Sequence, residues 1–145
     1  MKTIPAKEVK KLLRAQFPSL KKPWFGADPI TLLDREYPIV PKGIYAEIDF
    51  VVWNHIMALG IGYNDQFPDC EDFSSIKLGR FKEIWFQYIK DKRIPEGMPP
   101  LYGVSEGYLD GIMHSFNVFI SDKIWVSDYG QIVEPDKYTP ILMRF

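Results

Sequence analysis

Apolar residues recur at Val9, Leu12, Leu13 and Phe17, the i, i+3, i+4, i+8 spacing of one helical stripe, with lysines on the remaining face. Pro18 and Pro23 end this first helix, because proline lacks the amide that a helix interior needs. From Pro23 to Gly43 the prolines Pro29, Pro38 and Pro41, with Gly26, interrupt any period; this predicts a packed loop region with one helical turn over Ile30–Arg35. Ile44, Ile48, Val51, Val52 and Ile56 then fit one face of a helix spanning Ile44–Leu59, although so apolar a run also suits a strand. Gly60 and Gly62 punctuate it. Asp65–Pro68 reads as a turn that feeds a further helix, Cys70–Lys90, whose apolar positions cover a wide stripe and predict a central, largely buried element.

Beyond this helix the signals change. Pro95–Gly111, rich in proline and glycine, is expected to loop over the surface. His114–Ile120 has period two and predicts a strand, turned at Ser121-Asp122 into a return strand Lys123–Ser127. A turn at Asp128–Gly130 and strands at Gln131–Glu134 and Pro140–Phe145 complete the chain. Helices first and antiparallel strands last is an α+β order. The 145 residues suit a single domain, 1–145, without internal repeats.

Charge narrows the classes of partner. The formal net charge is -1, so no bulk field draws the protein to nucleic acid or to an acidic membrane, even though Met1–Lys22 is basic. No apolar run approaches the ~20 residues of a bilayer-spanning helix, and the basic N-terminus lacks the apolar core of a signal peptide. The expectation is a cytoplasmic protein, with a virus- or phage-encoded source among the options. One cysteine, Cys70, excludes an intrachain disulfide and a cysteine-rich zinc finger.

Cys70 opens a helix, with Asp69 in the cap position and Asp72 placed to close a capping box. Unpaired amides and the positive end of the helix dipole favour a thiolate there, whereas Asp69, Glu71 and Asp72 oppose it. A cationic partner is required, and His114 is the candidate. On the strand pair turned at Ser121-Asp122, with Ile120 beside Lys123, His114 falls almost opposite Asp128, so that the carboxylate can orient the imidazole toward the thiol. Taken singly, Cys70 reads as a small buried residue and Asp128 as a turn residue; the constellation is what suggests a catalytic triad.

The segment Phe67-Pro68-Asp69-Cys70-Glu71-Asp72-Phe73-Ser74 resembles the F-x-D-C-(D/E)-D-(F/Y)-A motif of a papain-like/transglutaminase-like cysteine peptidase family, found as the C-terminal protease domain of a fungal agglutinin and in phage-encoded relatives. His114–Ile120 is similar to the family's H-A-x-N-(I/V)-x-(I/V) strand, and Ile124–Asp128 to its following strand. The resemblance implies a papain-like/transglutaminase-like core, Cys70 as nucleophile, His114 as base and Asp128 as orienting acid. Relatives carry Glu-Pro-Gln where this chain has Asp128-Tyr129-Gly130, and a Glu-Pro pair occurs later as Glu134-Pro135, so Glu134 is the alternative third member. An oxyanion site would pair the Cys70 amide with Gln66 or Asn64. No cofactor is required. Calcium is an option by resemblance, through the oxygens of Asp65, Asp69, Glu71 and Asp72.

These residues predict a thiol protease-like hydrolase that cleaves a peptide or protein substrate through a thioester acyl-enzyme. Acyl transfer to an amine uses the same machinery. The alternative is a catalytically silent structural or interaction protein, phage-encoded or not, that keeps a peptidase-like fold. A metal site built from Cys70, His55 and His114 has no supporting ligand spacing.

Overall fold

The computed structural model describes residues 1–60, 62–64 and 69–145. The chain opens with a short strand β1 (Thr3–Pro5) and helix α1 (Ala6–Gln16), whose buried stripe is Val9 and Leu13. A 3-10 turn over Pro18–Lys21 follows, because Pro18 stops the α-helix but suits the first position of a tight turn. Helix α2 (Lys42–Ala58) buries Tyr45, Ile48, Asp49, Val52 and Ile56, and helix α3 (Cys70–Lys90) buries Phe73, Ser74, Lys77, Phe81, Trp85 and Tyr88.

The region from Pro23 to Gly43 holds β2 (Ile30–Thr31) and β3 (Glu36–Pro38) in place of a helical turn. β3 pairs antiparallel with β1, and β2 pairs in parallel with the last strand. Strands this short carry no readable period, and their partners lie far away in sequence. A six-stranded sheet of order β2-β8-β4-β5-β6-β7 supports the helices. It contains β4 (Tyr102–Leu109), β5 (Ile112–Ile120), β6 (Ile124–Asp128), β7 (Gln131–Val133) and β8 (Tyr138–Arg144). The architecture is α+β, with the sheet mixed rather than purely antiparallel because of the β2–β8 pair.

The expected surface loop Pro95–Gly111 contains β4, the strand between β5 and β8. Its glycines mark close approach of backbone rather than a loop. A Cβ at Gly107 would meet the Thr139 carbonyl and, at 2.6 Å, the Pro140 Cα. β4 turns into β5 at Asp110-Gly111, both at positive φ (49° and 78°), as a two-residue hairpin turn of the primed kind demands.

Helix α3 crosses the middle of the sheet, and aromatic rings fill the layer between. Phe81 stacks on Tyr102 at 3.9 Å, and Tyr45 lies 4.8 Å from Phe119 and 5.7 Å from Trp85. The Tyr45 hydroxyl accepts from the Leu101 amide, so its polar end is satisfied without leaving the core.

Candidate functional site

The cap expected at the start of α3 forms. Asp69 accepts from the amides of Glu71 and Asp72 at 3.2 and 3.4 Å, and Asp72 accepts in return from the Asp69 amide at 3.0 Å. Cys70 therefore stands half-buried on the first turn. It borders a cavity of about 10 Å³ together with Trp53, Lys77, Ser127, Asp128 and Tyr129. That space holds no more than a single water.

His114 and Asp128 meet. The imidazole Nε2 lies 2.9 Å from both carboxylate oxygens, and both side chains are largely buried. The hairpin register differs from the expected one: Ile120 pairs with Ile124 and Asn117 with Ser127, so the turn is one residue longer. Asp128 comes one step past Ser127 and is a diagonal neighbour of His114 on the same side of the sheet, within reach of a long side chain. The Tyr138 hydroxyl donates to the second carboxylate oxygen at 2.9 Å. Burial, followed by that bond to Asp128, raises the Tyr138 phenol well above its usual value.

Tyr129 joins the parts. It adopts a positive φ of 44°, and its ring packs 5.9 Å from His114, 5.8 Å from Trp53 and 5.9 Å from Phe73. Its phenol is pushed up to about 12, first by burial and then by the charges of Cys70 and Asp128. Cys70 thus lies within electrostatic range of Tyr129, whose ring packs on the imidazole.

The other candidates lie elsewhere. Glu134 pairs with Lys123 on the surface, and the carboxylate bonded to His114 is that of Asp128. His55 is exposed in the last turn of α2, and Asn64 is exposed. Gln66 and Asp65 lie outside the described residues. Among the described residues no three His, Cys, Asp or Glu side chains converge as a metal site. In particular, Asp69 and Asp72 spend their carboxylates on the helix cap. Residues that sequence reasoning missed include Tyr138, Tyr129 and the polar layer beneath the cavity. There the hydroxyls of Ser74 and Ser115 lie 2.7 Å apart, and Asn117 donates to the carbonyls of Ser74 and Gly103.

No family model matches the chain, and no curated protein does. Solved structures do superpose on it. One, described as a PSL1a-E64 complex, is similar with a TM-score of 0.72 at 16% identity over 99% of this chain and 50% of that one. Another is Polyporus squamosus lectin bound to the human-type influenza-binding epitope Neu5Acα2-6Galβ1-4GlcNAc, with a TM-score of 0.67 at 16% identity over 99% of this chain and 49% of that one. The chain spans about half the length of these structures. At this identity the likeness establishes the fold.

The comparison corrects the sequence-based expectation. Of the two solved chains, one is named as a lectin and carries a glycan, and neither is named as a papain-like peptidase. The cysteine peptidase family, thioester hydrolysis and a peptide or protein substrate are therefore set aside, and a papain-like/transglutaminase-like core is not confirmed. The physical reason lies in the short segments that carried the resemblance. Asp69-Cys70-Glu71-Asp72 has a complete structural explanation as a capped helix start, and such a motif does not by itself specify an activity.

Proposed function

We propose that this chain is a module of a lectin-type protein whose partner is a carbohydrate. The observation that supports this is the superposition of 99% of its residues on a lectin that has been solved with a glycan epitope. It is an argument from fold, and the chain's own surface supplies the chemistry to test. The cavity at Cys70 is too small for a sugar ring. A groove of about 460 Å³ offers the exposed ring of Phe86 beside Trp85 and Met98, with Lys82, Asp34 and Glu96 at its edges. An aromatic face stacks on sugar C–H groups, while Lys82 can meet a carboxylate. Titration of the chain with Neu5Acα2-6Galβ1-4GlcNAc, alongside a panel of neutral glycans, is expected to give saturable binding that Phe86→Ala removes. Absence of binding to every glycan, or binding that Phe86→Ala leaves unchanged, refutes the assignment.

A second reading concerns Cys70, His114 and Asp128, and the His114–Asp128 pair favours it. We infer that they form a thiol–imidazole–carboxylate cluster that captures an electrophilic ligand, with Asp128 orienting His114 and the cap residues Asp69 and Asp72 fixing the cysteine backbone. No hydrolytic step is assigned to it. That a similar structure is a complex with E64, an epoxide, makes this compound the probe. Thiolate attack on an epoxide carbon forms one C–S bond and opens one C–O bond, with the alkoxide taking a proton from the imidazolium or water. A mass increase of one probe molecule at Cys70, lost in Cys70→Ala and slowed in His114→Ala, supports the cluster. An unlabelled wild-type chain refutes it.

A further inference from the structure

Beneath the cavity lies a buried polar network unconnected with the helix cap. Lys77 and Asp49 are each 2% exposed, with Nζ 3.3 Å from Oδ1. Lys77 also donates to the Ser127 hydroxyl, which donates to Asp49 at 2.7 Å, and the Tyr102 hydroxyl donates to the same carboxylate oxygen at 2.7 Å. Four elements are tied together at one point: α2 through Asp49, α3 through Lys77, β6 through Ser127 and β4 through Tyr102. Every polar atom in the knot is satisfied, and among the described residues no buried side-chain N or O lacks a partner.

Such a pair is a poor way to stabilise a core, because desolvating two ions consumes most of what their attraction returns, and apolar residues of similar volume do as well or better. Its position suggests another use. Ser127 immediately precedes Asp128, and Lys77 borders the same small cavity as Cys70 and Asp128, where it is the only cation among the described lining residues. Seven residues of helix place Lys77 about 10 Å along α3 from Cys70. Among the described residues, the other charged and titratable groups near Lys77 and that cavity are Asp128 and Tyr129, which line it, Asp69, Glu71 and Asp72 beside Cys70 at the start of α3, Asp49 on α2 and Tyr102 on β4 within the network, and Tyr138 on β8, which bonds Asp128. His114 approaches from β5 and is held by Asp128.

We propose that Lys77 is a positioning residue for this cluster, its buried ammonium, paired with Asp49, being the counter-charge that aligns Asp128 and favours the thiolate of Cys70. The inference rests on reading Cys70 and Asp128 as one site. The electrostatics agree with the geometry. Burial lowers the Lys77 pKa, while Asp49, and to a lesser extent Asp128, raise it. The ammonium thus feels both carboxylates.

The test is the pH profile of Cys70 alkylation by iodoacetamide, followed by intact mass, in the wild-type chain and in Lys77→Met, Lys77→Gln and Ser127→Ala. Removing a unit charge at about 10 Å in a medium of effective dielectric about 20 slows alkylation near neutral pH by about tenfold and moves the profile to higher pH. Ser127→Ala keeps both charges and is expected to stay within about twofold of wild type. Lys77→Gln retains a donor for Ser127 and guards against failure of the methionine variant to fold. A folded Lys77→Gln with an unchanged profile overturns the proposal, as does an equal loss in Ser127→Ala, which would make the network structural only. Iodoacetamide needs no ligand pocket, so failure of the epoxide to label Cys70 leaves this result separately readable.

Discussion

Gly107→Ala is a sharp test of the sheet. Gly107 lies inside β4, between β5 and β8, opposite His114 on one side and Pro140 on the other. An added methyl would enter the Thr139 carbonyl and lie 2.6 Å from the Pro140 Cα and 2.9 Å from the Thr139 carbonyl carbon. All three are backbone atoms of a paired strand, so no rotamer change relieves the clash. Overpacking of this kind costs about 1–3 kcal/mol, and rigid neighbours put Gly107 at the upper end. Against that, alanine restricts the unfolded chain and returns about 0.4–1 kcal/mol. The net expectation is a loss of about 2 kcal/mol, or roughly 4–8 °C in Tm for a chain of this size. Gly79 supplies the internal control: it lies on the outer side of α3, and a methyl group added there would meet no atom within 4 Å. Gly79→Ala is expected to stabilise by about 1 kcal/mol through helix propensity. Urea unfolding followed by circular dichroism measures both. If the two substitutions shift stability in the same direction, or if Gly107→Ala changes it by less than about 0.5 kcal/mol, the close approach of β8 to β4 is refuted.

Three further outcomes are expected. Asp69→Ala, which removes both accepted amide bonds of the capping box, lowers stability by about 1 kcal/mol; thermal melting that shows no change would refute the cap. Phe81→Ala, which empties the space between Tyr102 and Trp85, costs about 3–5 kcal/mol in urea unfolding. Asp122 is held down to about 2 from an ordinary 3.8 by bonds from the Trp125 indole and the Ser121 hydroxyl. Because its folded value is depressed, its contribution is present above the unfolded value and fades as pH falls from about 4 to about 2. The stability of Asp122→Asn is therefore expected to depend less on pH across that window than the wild type's.

Helices α1 and α3 were legible because each carries a continuous apolar stripe, whereas the more apolar run of α2 also suited a strand. Val9, Leu13 and Phe17 on α1, and Phe73, Phe81, Trp85 and Tyr88 on α3, recur at helical spacing whatever lies across from them. The strands of the first half were not. β2 has two residues and β3 has three, and what holds them is pairing to β8 and β1, which no local pattern encodes. β4 was hidden by Gly103 and Gly107, which read as loop residues until β8 is seen passing over them. Its hairpin, however, is signalled by Asp110-Gly111, a stronger turn pair than Ser121-Asp122 in the next hairpin. Period two and a turn were enough to bring His114 near Asp128; the extra turn residue made them diagonal rather than opposite.

The polar layer beneath the site shows where sequence carries more than apolar periodicity. Asp49 follows Tyr45 by four and Ile48 by one, so it falls on the buried stripe of α2; Lys77 lies midway between Phe73 and Phe81, four residues from each, on the buried stripe of α3. A charge on an apolar helical stripe cannot remain there unpaired. Two such charges of opposite sign on consecutive helices are each other's natural partners, and the structure joins them at 3.3 Å. Ser127 and Tyr102 could not be assigned in advance, because they only supply the remaining bonds once strands β6 and β4 have been placed. The same logic separates the two halves of the site. The Asp69–Asp72 cap is local and readable over four residues, whereas the grip of Tyr138 on Asp128 depends on a strand that reaches His114 only through β4.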